Sequence, residues 1–117
     1  MKITVRTAVE NDLPALLALY RELNPDDAPL AQGIAHDVWE EISRQRGRTV
    51  LVADAGDAPV GTADCLVMPN LTRGGRAILF VENVVVAGTA QRRGVGRLLM
   101  DAAVRLGPVA KVNLGRG

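Results

Sequence analysis

The chain has 117 residues, of which 48% are hydrophobic and 23% charged, a composition that suits a folded protein and excludes an apolar-poor, charge-rich disordered chain. This length provides for one hydrophobic core and so for a single domain over residues 1–117. With 14 Lys and Arg against 13 Asp and Glu, the net charge of +1 gives no broad field for nucleic acid or an acidic membrane, so any anion site has to be local.

Twelve of the basic residues are arginine, and Arg92, Arg93 and Arg97 lie within six positions of one another, where planar guanidinium groups can fork onto phosphate oxygens. The single cysteine, Cys65, has no intramolecular partner and no metal-ligand spacing with the lone His36. No stretch approaches the roughly 18 apolar residues of a membrane span, and the N-terminus lacks the layout of a signal peptide. The expectation is a soluble cytoplasmic protein that uses no metal.

In chain order, Ile3, Val5, Thr7 and Val9 alternate as in a half-buried strand. Leu13, Leu16, Leu17, Tyr20 and Leu23 then recur at helical spacing, with Glu10 and Asp12 at the positive end and Pro14 in the first turn. The run Asn24-Pro25-Asp26-Asp27 stops that helix. A second helix is predicted from Ala28 to about Gln45, capped by Asp27, with Leu30, Ile34, Val38 and Ile42 as its apolar stripe.

Thr49 to Asp54 and Pro59 to Pro69 read as a hairpin around Ala55-Gly56-Asp57-Ala58, with Gly61 weakening the second strand. After a Gly and Arg loop, Ala77 to Val86 is a long strand, expected at the centre of the sheet, with one acid, Glu82, amid apolar residues. A final helix carries Val95, Leu98, Leu99, Ala102, Ala103 and Leu106 at helical spacing and ends at Gly107-Pro108. Val109 to Leu114 is a last short strand. The fold class is α+β, in the order β-α-α-β-β-β-α-β.

The segment from Gln91 to Arg97 joins the fourth strand to the third helix. A glycine-bearing turn there places free backbone N–H groups at the positive end of a helix, where an anion takes up the missing intrahelical partners. Gly94 and Gly96 remove side chains that would keep a phosphate from the backbone, and Gln91, Arg92, Arg93 and Arg97 add donors. The spacing is not that of a nucleotide-triphosphate loop, which requires Lys and then Ser or Thr after its last glycine. Nor is it the three-glycine dinucleotide fingerprint.

Gln91-Arg92-Arg93-Gly94-Val95-Gly96 resembles the coenzyme A signature of the GNAT acyltransferases: Gln or Arg, two residues, Gly, one residue, Gly or Ala. Asn83-Val84-Val85-Val86 resembles the end of that family's fourth strand, Arg97-Leu98-Leu99-Met100 its third helix, and Ile3-Thr4-Val5-Arg6 with Asn11-Asp12-Leu13 its opening elements. The resemblance implies a GNAT-like mixed sheet and acetyl-coenzyme A as co-substrate. Backbone groups of Val84, Val85 and Val86 would hold the pantetheine arm. The amides of Arg92, Arg93, Gly94, Val95, Gly96 and Arg97 would hold the pyrophosphate. It further implies attack on the thioester by an amine of a small molecule or protein, with Glu82 as the base that takes up its proton.

Other residues have plainer readings. His36, Trp39 and Tyr20 are expected to pack, Cys65 to be a small buried hydrophobe, and Arg73 with Arg76 to form a solvated loop. The family continues past its fifth strand with a helix, which commonly carries the tyrosine that protonates the thiolate, and two more strands. Here only Gly115-Arg116-Gly117 follow, so the open sheet edge implies either a homodimer or a shortened version of a longer gene product. The missing elements also keep open a non-catalytic module that binds coenzyme A, and a regulatory domain for some other nucleotide.

Overall fold

The computed structural model describes residues 2–115. Five strands form one sheet in the order β1-β2-β3-β4-β5: β1 (Thr4–Thr7), β2 (Arg48–Asp54), β3 (Pro59–Met68), β4 (Ala77–Val86) and β5 (Val109–Leu114). The first four are mutually antiparallel, and β5 runs parallel to β4. The helices are α1 (Leu13–Leu23), α2 (Gln32–Arg44) and α3 (Val95–Val104), and α3 is the crossover that a parallel pair requires. None of the described helices is long and apolar enough to cross a membrane.

Alternation along the strands sorts side chains onto two faces. Leu51, Ala53, Ala63, Cys65, Leu79 and Val81 join Val95, Leu99 and Ala103 of α3 in one core. Val50 and Val52 turn the other way and pack with Leu16 of α1 and Trp39 of α2. The middle strand is β3, with β4 beside the β5 edge. The expectation of a central β4 is thereby corrected, since an apolar run reports burial on both faces and not position in the sheet.

The second helix also departs from expectation. It starts at Gln32 with Ala31 as its cap, so Asp27 and Leu30 lie in the connection before it. Its buried residues are Ala35 and Trp39, with Ile42 packed beside them, while Ile34 and Val38 are exposed. Trp39 and Cys65 pack as expected, at 8% and 0% exposure. His36 does not: its imidazole is exposed, with Nδ1 3.4 Å from Glu10 Oε1. With Glu40 these two place one ligand-type atom each within 4.8 Å of one another, as exposed acidic groups commonly do without a metal.

Gly61 has a packing purpose. A Cβ there would stand 3.0 Å from Val95 Cγ1, 3.2 Å from Leu99 Cδ1 and 3.3 Å from the Val85 carbonyl oxygen, so its absence lets the first turns of α3 seat directly on β3. Gly61→Val is expected to destabilise the fold by roughly 1–3 kcal/mol through overpacking, read as a lower urea midpoint at unchanged slope.

The start of α1 is held by charge. The Arg6 guanidinium donates to both Asp12 oxygens at 2.8 Å and from Nε to Asp54 at 3.0 Å, while the Val9 amide donates to Asp12 at 2.8 Å. Arg6 and then the Val9 amide hold the Asp12 carboxyl below its usual range against the opposing effect of burial. A depressed carboxylate pKa gives stability that is present above the unfolded value near 3.9 and is lost as pH falls through the folded value. Asp12→Asn should lower stability at neutral pH and flatten its decline below about pH 4, measured by denaturation across an acid series.

Candidate active site

Two features of β4 create the site. The first is a bulge at Asn83, which has φ +51° and accompanies a register shift against β3: Asp64 faces Glu82, but Thr62 faces Val85. Asparagine enters the left-handed region more readily than most residues, and the extra residue reverses which face the following side chains take. Leu79 and Val81 point toward α3 before it, and Val84 and Val86 point that way after it.

The second feature is the extent of the described pairing between β4 and β5, which runs to Val81 and Leu114. The Gly115 amide donates to the Val81 carbonyl at 2.8 Å, and among the described residues no β4 to β5 pairing lies beyond it. On the other side, β4 stays paired to β3 through Val85 and Val86, and the Ala87 amide donates to Val60 at 2.8 Å. Because main-chain groups alternate edges along a strand, Ala87 and Val85 turn theirs toward β3, while Val84 and Val86 turn theirs the other way. Of the three expected backbone contacts, Val84 and Val86 therefore face away from β3, with the Val86 carbonyl accepting from Gln91, and Val85 faces β3.

Glu82 is the first residue of β4 beyond the described pairing to β5. It is exposed, and it lies on the α1 and α2 side of the sheet, opposite Asp64 in register. Its carboxylate occupies the space that a Cβ on residue 115 would take, so glycine at 115 lets the acid lie across the end of β5.

Beyond Val86 the chain passes through a 3-10 turn at Gly88–Ala90 and into α3. Gln91 donates from its side-chain amide to the Val86 carbonyl at 3.2 Å, tying this turn back to the strand end. Arg92 has φ +67° and Gly94, the cap of α3, has φ +76°. A left-handed arginine costs on the order of 1–2 kcal/mol and aims successive N–H groups outward. Val95 is buried at 1% exposure and pins the turn to the core. Among the described residues, the amides of Arg92, Arg93, Gly94, Val95, Gly96 and Arg97 donate to no carbonyl outside the helix, and the first helical positions have no acceptor within it. A Cβ on Gly96 would meet nothing within 4 Å, so no other part of the chain packs against that position. Arg92, Arg93 and Arg97 are exposed around it.

A cleft of about 520 Å³ opens beside the bulge, between α1, the α1 to α2 connection and β4. Its lining includes Asn83, Tyr20, Arg21, Asn24, Asp27 and Leu30. Tyr20 is only half-buried and faces both this cleft and the core, so the expectation of a purely packing residue is incomplete. Burial and the nearby Asp64 carboxylate push its phenol up to about 12, which keeps it a neutral donor at physiological pH. The cleft residues carried no motif. Their one signal was a polar break, Asn24 to Asp27, next to an arginine in the last turn of α1.

With this geometry in place, comparison with known proteins is informative. The sequence profile of the acetyltransferase (GNAT) family matches residues 13–111. A glucosamine 6-phosphate N-acetyltransferase of Trypanosoma brucei brucei is 31% identical over 102 residues, which span 85% of this chain and 68% of that protein. A solved structure from Agrobacterium tumefaciens str. C58, assigned as an acetyltransferase, superposes with TM-score 0.88 at 39% identity, covering 97% of this chain and 81% of the other. A Trypanosoma brucei acetyltransferase structure superposes with TM-score 0.83 at 27% identity, over 99% and 84% of the two chains. Members of this family use acetyl-coenzyme A. The profile match, the relatives and the mixed sheet agree: this chain belongs to the GNAT acetyltransferase family and is an acyltransferase.

Proposed function

We propose that this domain, residues 1–117, moves an acetyl group from acetyl-coenzyme A to an amine of a small molecule or protein by direct attack. The observation that supports the reading is two sets of backbone donors, those of residues 92–97 at the start of α3 and those of Val84 and Val86 on the side of β4 away from β3, for which no described backbone carbonyl is a partner. The turn suits a pyrophosphate, because its amides stand at the positive end of α3 without described backbone partners and exposed arginines flank them. The open edge of β4 suits the amide-bearing pantetheine arm, which can add to it as an extra strand would.

Such a placement brings the thioester to the bulge, where the Val84 N–H is the donor best placed to stabilise the developing oxyanion. Glu82 takes the proton from the attacking ammonium, directly or through a water, and so generates the nucleophile. The outer edge of β5, which pairs with no other described strand, is the surface through which a homodimer would form.

Gly96→Val adds bulk where nothing else packs, so it should leave the thermal midpoint within a few degrees. It should weaken acetyl-coenzyme A binding tenfold or more in calorimetric titration, and unchanged affinity would take the pyrophosphate away from this turn. Glu82→Gln should lower kcat by about 100-fold or more and remove the acidic limb of its pH profile while the coenzyme still binds. Full turnover in this variant would exclude the proton-accepting role. Binding of coenzyme A without thiol release across a panel of amines would instead identify a non-catalytic module.

A further inference from the structure

We infer that the acceptor carries an acidic group, a carboxylate or a phosphate, besides its reacting amine, and that Arg21 holds that group. The inference rests on the acetyl-transfer reading above and names the class of molecule that enters the cleft. Asn83, the neighbour of Glu82 in β4, and Arg21, in the last turn of α1, line the same cleft. An acceptor that fills the cleft while its amine is at the bulge therefore shares that lining with this guanidinium.

The arginines with a structural task are recognisable by their partners: Arg6 is engaged by Asp12 and Asp54, and Arg48 by Asp64. Arg21 has no ion pair or hydrogen bond to another described residue, although Asp27 lines the same cleft and would be the obvious internal partner. The cleft thus presents a cation and an anion held apart. A ligand with both charges meets both of them, whereas an uncharged or purely apolar amine leaves them unmatched.

The guanidinium fork fits the paired oxygens of a carboxylate or phosphate, and its position in the last turn of α1 favours a cation there. At about 520 Å³ the cleft is of the size that takes a metabolite. Besides the two charges, Tyr20, Asn24 and Asn83 add hydrogen-bonding groups to a lining otherwise made of apolar residues such as Leu17, Pro29 and Leu30.

The test uses two matched pairs of amines titrated calorimetrically into the full chain saturated with coenzyme A: glucosamine with glucosamine 6-phosphate, and β-alaninamide with β-alanine. The acidic member of at least one pair should bind tenfold or more tightly than its neutral twin. Which pair responds separates phosphate from carboxylate. Arg21→Gln should abolish that preference while leaving the Kd for acetyl-coenzyme A and the thermal midpoint as they were, and in turnover should raise KM for the acidic acceptor more than it lowers kcat. Equal affinities within both pairs, absence of binding by all four amines, or a preference that survives Arg21→Gln would overturn the inference. Failure of acetyl-coenzyme A itself to bind the unmodified chain would instead strike down the acetyl-transfer reading.

Discussion

One interruption in one strand organises the site. Up to Val81, β4 is paired on both sides and its residues alternate regularly between the two cores. At Asn83 an additional residue is taken up in a left-handed conformation, and three things change together. The alternation reverses, so that Val84 and Val86 reach the α3 core while Asn83 borders the cleft. The described pairing to β5 ends at Val81 and Leu114, so the main-chain groups on that side of β4 beyond Val81 have no strand partner among the described residues. Glu82, one residue before the bulge, is the first beyond that pairing.

The second requirement is that the turn after β4 be rigid enough to hold its amides outward. It is secured at three points: Val95 is buried in the core, Gln91 bonds to the end of β4, and the Gly88 amide donates to Glu22 of α1 at 3.0 Å. The vacancy at Gly61 brings α3 close enough for the first of these. The bond from Glu22 means that the helix forming one wall of the acceptor cleft also contacts the turn proposed to carry the donor's phosphates. Donor and acceptor regions are thus referred to a common element, which is how a reacting pair is kept in register.

Charge is divided between two tasks. Arg6 and Arg48 are neutralised within the sheet by Asp12, Asp54 and Asp64, and their worth lies in fixing the entry to α1 and the outer end of the β2 to β3 hairpin. Arg21, Arg92, Arg93 and Arg97 lie at the cleft or around the turn, without carboxylate partners among the described residues. A chain with a net charge of only +1 can in this way gather positive charge around the turn without a general affinity for polyanions.

Much of this was legible in the residues alone. The bounds of β4 and β5, the hairpin, the amphipathic α1 and α3 and the glycine turn follow from local rules of periodicity, capping and left-handed glycine, because each is decided by residues a few positions apart. The glycine turn was legible for the same reason: its donors are consecutive amides. The start and the buried face of α2 were misjudged: of the expected stripe Leu30, Ile34, Val38 and Ile42 only Ile42 packs inward, beside Ala35 and Trp39, and only the sheet beneath determined which face was buried. The bulge was invisible because Val84, Val85 and Val86 are all apolar, so a reversal of alternation leaves no trace in their order. The meeting of Glu82 with Gly115, the seat of α3 on Gly61 and the cleft that Arg21 shares with Asn83 join segments distant in the chain. Local preference sets what each segment becomes, but pairing and packing across the sheet decide which segments meet, and the cleft exists only where they do.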